Sequence, residues 1–138
     1  MKSILIDAGP LIALFDRSDQ YHLKALQFIE DFKGELWTTW SVVTEVSYML
    51  DFNQQVQLNF LTWIERGGLN IFMLEGSHIY RFTALMEKFS DVPMDLADAS
   101  LIVASELTNY KEIASIDSDF YIYRDIRNQY LTNVFSKE

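Results

Sequence analysis

Five acids sit where the surrounding sequence is otherwise apolar: Asp7 after Ile4-Leu5-Ile6, Glu45 within Val42-Val43-Thr44-Glu45-Val46, Asp95 and Asp98 three residues apart, and Asp117 after Ser115-Ile116. Gathered in one place, their carboxylates would repel one another and oppose folding unless a cation were present. An all-oxygen donor set suits a hard divalent ion such as Mg²⁺ or Mn²⁺, which keeps several waters and accepts phosphate oxygens in its open positions. The chemistry that follows is hydrolysis of a phosphodiester by a metal-activated water, with no protein nucleophile. Asp7, Glu45, Asp98 and Asp117 are the catalytic candidates, and Asp95 joins them as a candidate metal ligand.

These side chains are far apart in sequence, so the fold must bring them together. Ser3 to Asp7 is a short Ile-rich run fit for a strand buried on both faces, and Pro10 suits the first turn of the helix after it. Helical spacing recurs over Tyr21–Phe32, Ser41–Phe52, Asn53–Arg66, Ile79–Phe89 and Asp95–Thr108, with Ser77 as the expected cap of the fourth. Glu35–Thr39, Leu69–Leu74 and Ile113–Ile116 read as further strands. The tail from Tyr121 reads as a short helix and a last strand, Leu131–Phe135. This alternation argues for an α/β sandwich around a mainly parallel sheet, with any site at the carboxyl ends of the strands. Asp7 and Asp117, each expected to end a strand, would then share one edge.

Each acid also has a structural reading. Asp7 before Gly9-Pro10 can be a cap or turn former; Asp95 fits an N-cap with Asp98 at the reciprocal third position; Glu45 can face solvent; Asp117 and Asp119 can shape an Asx turn. The case for chemistry rests on the set.

Composition narrows the classes. The chain has 138 residues, 49% of them hydrophobic and none of them Cys, which suits a single domain over residues 1–138 and excludes disulfides, thiol nucleophiles and Cys-ligated zinc. A formal charge of −9 argues against clamping a polyanion on a basic surface. Arg81, Lys88, Arg124 and Arg127 are scattered. No apolar run approaches the ~20 residues of a membrane span, so no membrane role and a cytoplasmic location are expected. His22 and His78 lack the spacing of a catalytic triad, and Gly67-Gly68 lacks the Lys-Ser/Thr of a phosphate loop. Trp37, Trp40, Tyr48 and Trp63 can stack on bases, pack in the core or line an interface.

With these residues in view, the sequence resembles the PIN-domain family of metal-dependent nucleases, and more closely its VapC-like toxin branch. Ile4-Leu5-Ile6-Asp7-Ala8-Gly9-Pro10 looks like the family's opening strand, acid and helix start. Val43-Thr44-Glu45-Val46 is similar to the segment with its second acid, and Ala97-Asp98-Ala99-Ser100-Leu101-Ile102 and Ser115-Ile116-Asp117-Ser118-Asp119-Phe120 resemble its later motifs. The resemblance covers nearly the whole chain. It implies a three-layer α/β/α sandwich and a Mg²⁺- or Mn²⁺-dependent ribonuclease with ligands Asp7, Glu45, Asp98 and Asp117, Asp95 as an accessory acid and Ser115 as a supporting hydroxyl. It also implies an RNA substrate, a cognate antitoxin and a homodimer. Ala8 and Gly9 depart from the hydroxyl or amide that many relatives carry after the first Asp. Two other classes remain: a non-catalytic PIN-like module that binds RNA or protein, and a phosphoryl-transfer or receiver-like domain. Against the latter, Asp7-Ala8-Gly9 lacks a second Asp two residues on.

Overall fold

The computed structural model describes residues 1–135. In chain order the elements are β1 (Lys2–Ile6), α1 (Ala8–Phe15), α2 (His22–Asp31), β2 (Gly34–Thr39), α3 (Trp40–Met49), α4 (Gln54–Glu65), β3 (Asn70–Phe72), α5 (Ile79–Lys88), α6 (Leu96–Thr108), β4 (Glu112–Ala114) and β5 (Thr132–Asn133). Short 3₁₀ turns cover Gly76–His78 and Ser118–Tyr121. The sheet runs β3-β2-β1-β4-β5, and every pairing is parallel. With this strand order, the right-handed rule for parallel crossovers places α1 to α4 on one face and α5 and α6 on the other, in keeping with the expected three-layer α/β/α sandwich. The contacts of α1 with α2, α3 and α4, and of α5 with α6, agree with that division, while α3 also meets α6.

β1 holds the centre because Ile4, Leu5 and Ile6 are apolar on both faces and all are buried. Its register with β2 pairs Lys2 with Gly34, where any Cβ would run into the Lys2 carbonyl, so the close start of this ladder requires glycine. α6 is buried continuously from Ala97 to Ser105. Its small residues Ala97, Ala99, Ser100, Ala104 and Ser105 let it lie close against its neighbours. It stops at Asn109, whose left-handed φ of 64° is a common helix ending for this residue type.

The strand order reverses between β1 and β4: the chain leaves β1 toward β2 on one side, while β4 lies on the other. The crevice at the carboxyl ends of these two strands is where ligands bind in open α/β sheets. Asp7 follows β1, and its N–H donates to the Ala114 carbonyl at 2.9 Å, extending the β1–β4 ladder to the sheet edge.

Three expectations need correction. β4 ends at Ala114 rather than Ile116, because the Ser115 N–H is taken by the Asn133 side chain at 3.3 Å, which accepts in place of a neighbouring strand. Asp117 therefore stands on a loop beyond the strand. The tail helix is absent from 122–130; the helical turn comes earlier, at Ser118–Tyr121, started by the Asp117 side chain. Ser77 does not cap α5, whose N-cap is His78; it lies inside the preceding 3₁₀ turn, where the Glu75 N–H donates to His78 Nδ1 at 3.0 Å. Among the described residues no helix is long and apolar enough to cross a membrane.

Candidate functional site

Asp7 occupies the N-cap position of α1, yet its side chain makes no capping bond. An N-cap carboxylate bonds the N–H of the second or third helical residue, and the third here is Pro10, which has none. The carboxylate instead accepts from Ser115 Oγ at 3.0 Å. That hydroxyl in turn accepts from the Asp117 N–H at 2.9 Å, so one buried serine ties the ends of β1 and β4 together.

Asp98 comes from the other side of the sheet, on the first turn of α6. It forms a capping box with Asp95: the Asp98 N–H donates to Asp95 Oδ1 at 2.8 Å, and the Asp95 N–H donates to Asp98 Oδ2 at 3.3 Å. α6 is registered against β2 and α3 by Thr39 Oγ1 and Ser100 Oγ, 2.6 Å apart. Thr38 Oγ1 donates to the Ile6 carbonyl at 2.8 Å, locking the β2 end to the β1 end beside Asp7.

The fold thus brings Asp7, Asp98 and Asp117 together, with one oxygen of each lying within 4.8 Å of the others. Asp7 and Asp98 are buried, at 7% and 8% exposure, and Asp117 is half-buried. Oxygens coordinating one hard cation at ~2.1–2.4 Å lie up to about 4.8 Å apart, so the three carboxylates fit such an ion in both donor type and spacing. Glu45 and Asp95 are exposed and fall outside this set of three, although their charges bear on it. Asp95 is occupied by capping.

The electrostatics carry the mark of burial first and of mutual repulsion second. Burial is the main cause that pushes the Asp7 carboxyl up from an ordinary 3.8 to about 7, with Glu45 and Asp117 adding repulsion against the opposing bonds from Ala8 and Ser115. Burial, then Asp95 and Asp7, push Asp98 up to about 8. Partial desolvation and the charges of Asp95 and Asp117 raise Glu45 as well. Asp119, whose N–H donates to Asp117 Oδ1 at 2.8 Å, is raised by desolvation and by Asp117. Among the described residues the ion pairs are Lys2–Glu112, Arg81–Glu106 and Lys111–Asp125, and none reaches the cluster.

The sequence match decides the family: the PIN domain profile fits residues 4–126. The chain belongs to the PIN-domain family. No curated protein matches it by sequence. Among solved structures this PIN domain resembles VapC20 of Mycobacterium tuberculosis, described as a sarcin-ricin loop cleaving toxin, with a TM-score of 0.79 at 12% identity over 86% of this chain and 93% of that one. At that identity the likeness speaks for the fold.

One residue of the site was not singled out by the sequence. Tyr123 is fully buried, and its hydroxyl donates to Asp98 Oδ2 at 3.0 Å. It lies in the irregular tail, where no periodicity marks a buried position. The isolated histidines stay apart from the cluster: His22 Nδ1 contacts the Ala13 carbonyl at 2.7 Å, and His78 holds its local turn. Of the scattered cations, Arg81 is committed to Glu106, and Arg124 binds the carbonyls of Tyr121, Ile122 and Tyr123.

Proposed function

We propose that this PIN domain, acting as one unit over residues 1–138, is a Mg²⁺- or Mn²⁺-dependent endoribonuclease and the toxin of a type II toxin–antitoxin pair. The observation that carries the reading is the convergence of three carboxylates on one switch-point crevice with no cation paired to any of them among the described residues. Membership of a nuclease family supports it, and the likeness to a toxin that cleaves the sarcin-ricin loop supports the choice of RNA.

In this reading Asp7, Asp98 and Asp117 hold the ion, while Glu45 and Asp95 deepen the negative field at its rim. A bound Mg²⁺ or Mn²⁺ supplies a water of lowered pKa and neutralises charge on the scissile phosphate. Ser115 fixes the Asp7 carboxylate by donating to Oδ2, and its hydroxyl oxygen spaces Asp117 by accepting from the Asp117 backbone N–H. The acidic edge also draws the ion in against the overall charge of −9.

The antitoxin and a second copy of the chain are the protein partners in this proposal, and the cytoplasm is its location. Exposed apolar side chains give both partners somewhere to bind. The exposed Trp40 and Leu96 line a recess with the half-buried Phe72, Leu74 and Phe82, and Tyr48, Met49 and Phe52 are exposed along α3 and just beyond it.

The test is cleavage of single-stranded and structured RNA with Mn²⁺ or Mg²⁺, using wild type, Asp7→Asn and Asp98→Asn. Metal-dependent cleavage lost in both variants is expected. Equal behaviour of all three proteins would leave the non-catalytic binding module as the better account.

A further inference from the structure

We infer that Tyr123 is a positioning residue that sets the Asp98 carboxylate for ion binding by holding Oδ2 through its buried hydroxyl. This rests on the reading of the Asp7, Asp98 and Asp117 cluster as a metal centre and adds to it a residue outside the acidic set.

The geometry is specific. Both donors to the Asp98 carboxylate, the Tyr123 hydroxyl at 3.0 Å and the Asp95 N–H at 3.3 Å, reach the same oxygen. Among the described residues Oδ1 is left without a donor. A carboxylate held by one oxygen keeps its rotation, and the other oxygen keeps its lone pairs for a cation. The Asp95 bond is long and depends on the first residues of a helix, where chains fray. The shorter bond comes from a ring that cannot move away.

Tyr123 is 0% exposed, and its ring packs edge-on against Phe120 at 5.2 Å and Phe89 at 5.4 Å between centroids. Phenylalanine would fill this space equally well, so the hydroxyl is the part that needs explaining. The backbone around it is tethered on both sides. Its own N–H donates to the Asp119 carbonyl at 3.1 Å. Two residues on, Asp125 accepts from Lys111 Nζ at 2.8 Å and from the N–H groups of Arg127 and Gln129 at 2.9 and 3.0 Å. The Ile126 N–H donates at 2.8 Å to Glu106, which is itself gripped by Arg81. These bonds turn an irregular tail into a fixed strap and hold the hydroxyl where Asp98 needs it, as outer hydrogen bonds orient the ligands of metal sites.

The experiment compares wild type and Tyr123→Phe as full chains, with Mn²⁺ as probe. Free Mn²⁺ is followed by electron paramagnetic resonance, and thermal midpoints are taken without metal. The expected result is a Kd for Mn²⁺ weakened about tenfold, a changed spectrum of the bound ion, and a metal-free midpoint close to wild type. Unchanged affinity with a lowered midpoint would show a packing role alone and overturn the inference. A wild type that takes up no Mn²⁺ overturns the metal reading, and this inference with it. Should Tyr123→Phe not fold, 3-fluorotyrosine at position 123 keeps the test open. Its ¹⁹F resonance is expected to shift on Mg²⁺ addition, and to stay still in a protein that also carries Asp98→Asn. A still resonance in a chain that binds Mg²⁺ contradicts the inference.

Discussion

Two groups of carboxylates in this molecule are treated in opposite ways. At the carboxyl edge of the sheet Asp7, Asp98 and Asp117 face one another with no basic partner among the described residues, and burial raises Asp7 and Asp98 far above the carboxylate range. Within the strap, Asp125 is just as buried, at 3% exposure, but Lys111 and the N–H groups of Gln129 and Arg127 hold its pKa below the ordinary value despite desolvation. Glu106 is likewise matched, by Arg81 at 2.6 Å. The chain can neutralise a buried acid with its own residues and does so where the task is to hold the tail. Three acids left without a basic partner at the switch point, among the described residues, support the proposed metal centre.

The contrast orders the expected effects of mutation. Asp7→Asn or Asp98→Asn should abolish cleavage, by roughly a thousandfold or more if the ion is lost, while the metal-free protein stays folded; gel-based cleavage and circular dichroism check the two halves. Asp125→Ala should act in reverse, costing about 3 kcal/mol of stability because it strands Lys111 and two backbone N–H groups, with little effect on Mn²⁺ affinity at temperatures where it remains folded. Urea unfolding measures this cost.

The two regions should also titrate with opposite sign. Asp7 and Asp98 have raised folded pKa values, so without metal their contribution is fully present below about 4 and is lost as pH rises through about 7 to 8. Asp125 has a lowered one, so its contribution is present above the ordinary carboxylate range and is lost as pH falls through its folded value. In metal-free protein Asp7→Asn should therefore be the more stable form at pH 8, by about 2 kcal/mol or more, with the gap closing toward pH 4. Thermal unfolding across that range, with and without Mn²⁺, reads it out. A smaller effect is expected from Ser115→Ala, with Mn²⁺ affinity weakened about tenfold through the freed Asp7 carboxylate. The smallest belongs to Lys2→Ala: its pair with Glu112 at 3.0 Å is open to solvent and should be worth less than about 0.5 kcal/mol.

What could be read in the sequence follows the range of the forces involved. β1, the reciprocal capping of Asp95 and Asp98 and the parallel sheet were legible because apolar runs and caps are set within a few residues. The early end of β4 was not, since it depends on an Asn133 side chain 18 residues away reaching the Ser115 backbone. Tyr123 was hidden for the same reason: its environment is assembled from α5, α6 and the 3₁₀ turn, and the 122–130 strap has no repeat to betray which residues point inward. Within the acidic set, sequence motifs named five residues, but only folding distinguishes the three that converge from Glu45 and Asp95, which stay exposed.

The most direct test of the central claim is a crystal of the protein grown with Mn²⁺ and measured at the manganese absorption edge. The account predicts an anomalous peak between the carboxylates of Asp7, Asp98 and Asp117, within about 2.4 Å of an oxygen from each. A fully ordered site with no peak there, or manganese bound only at other residues, would contradict it.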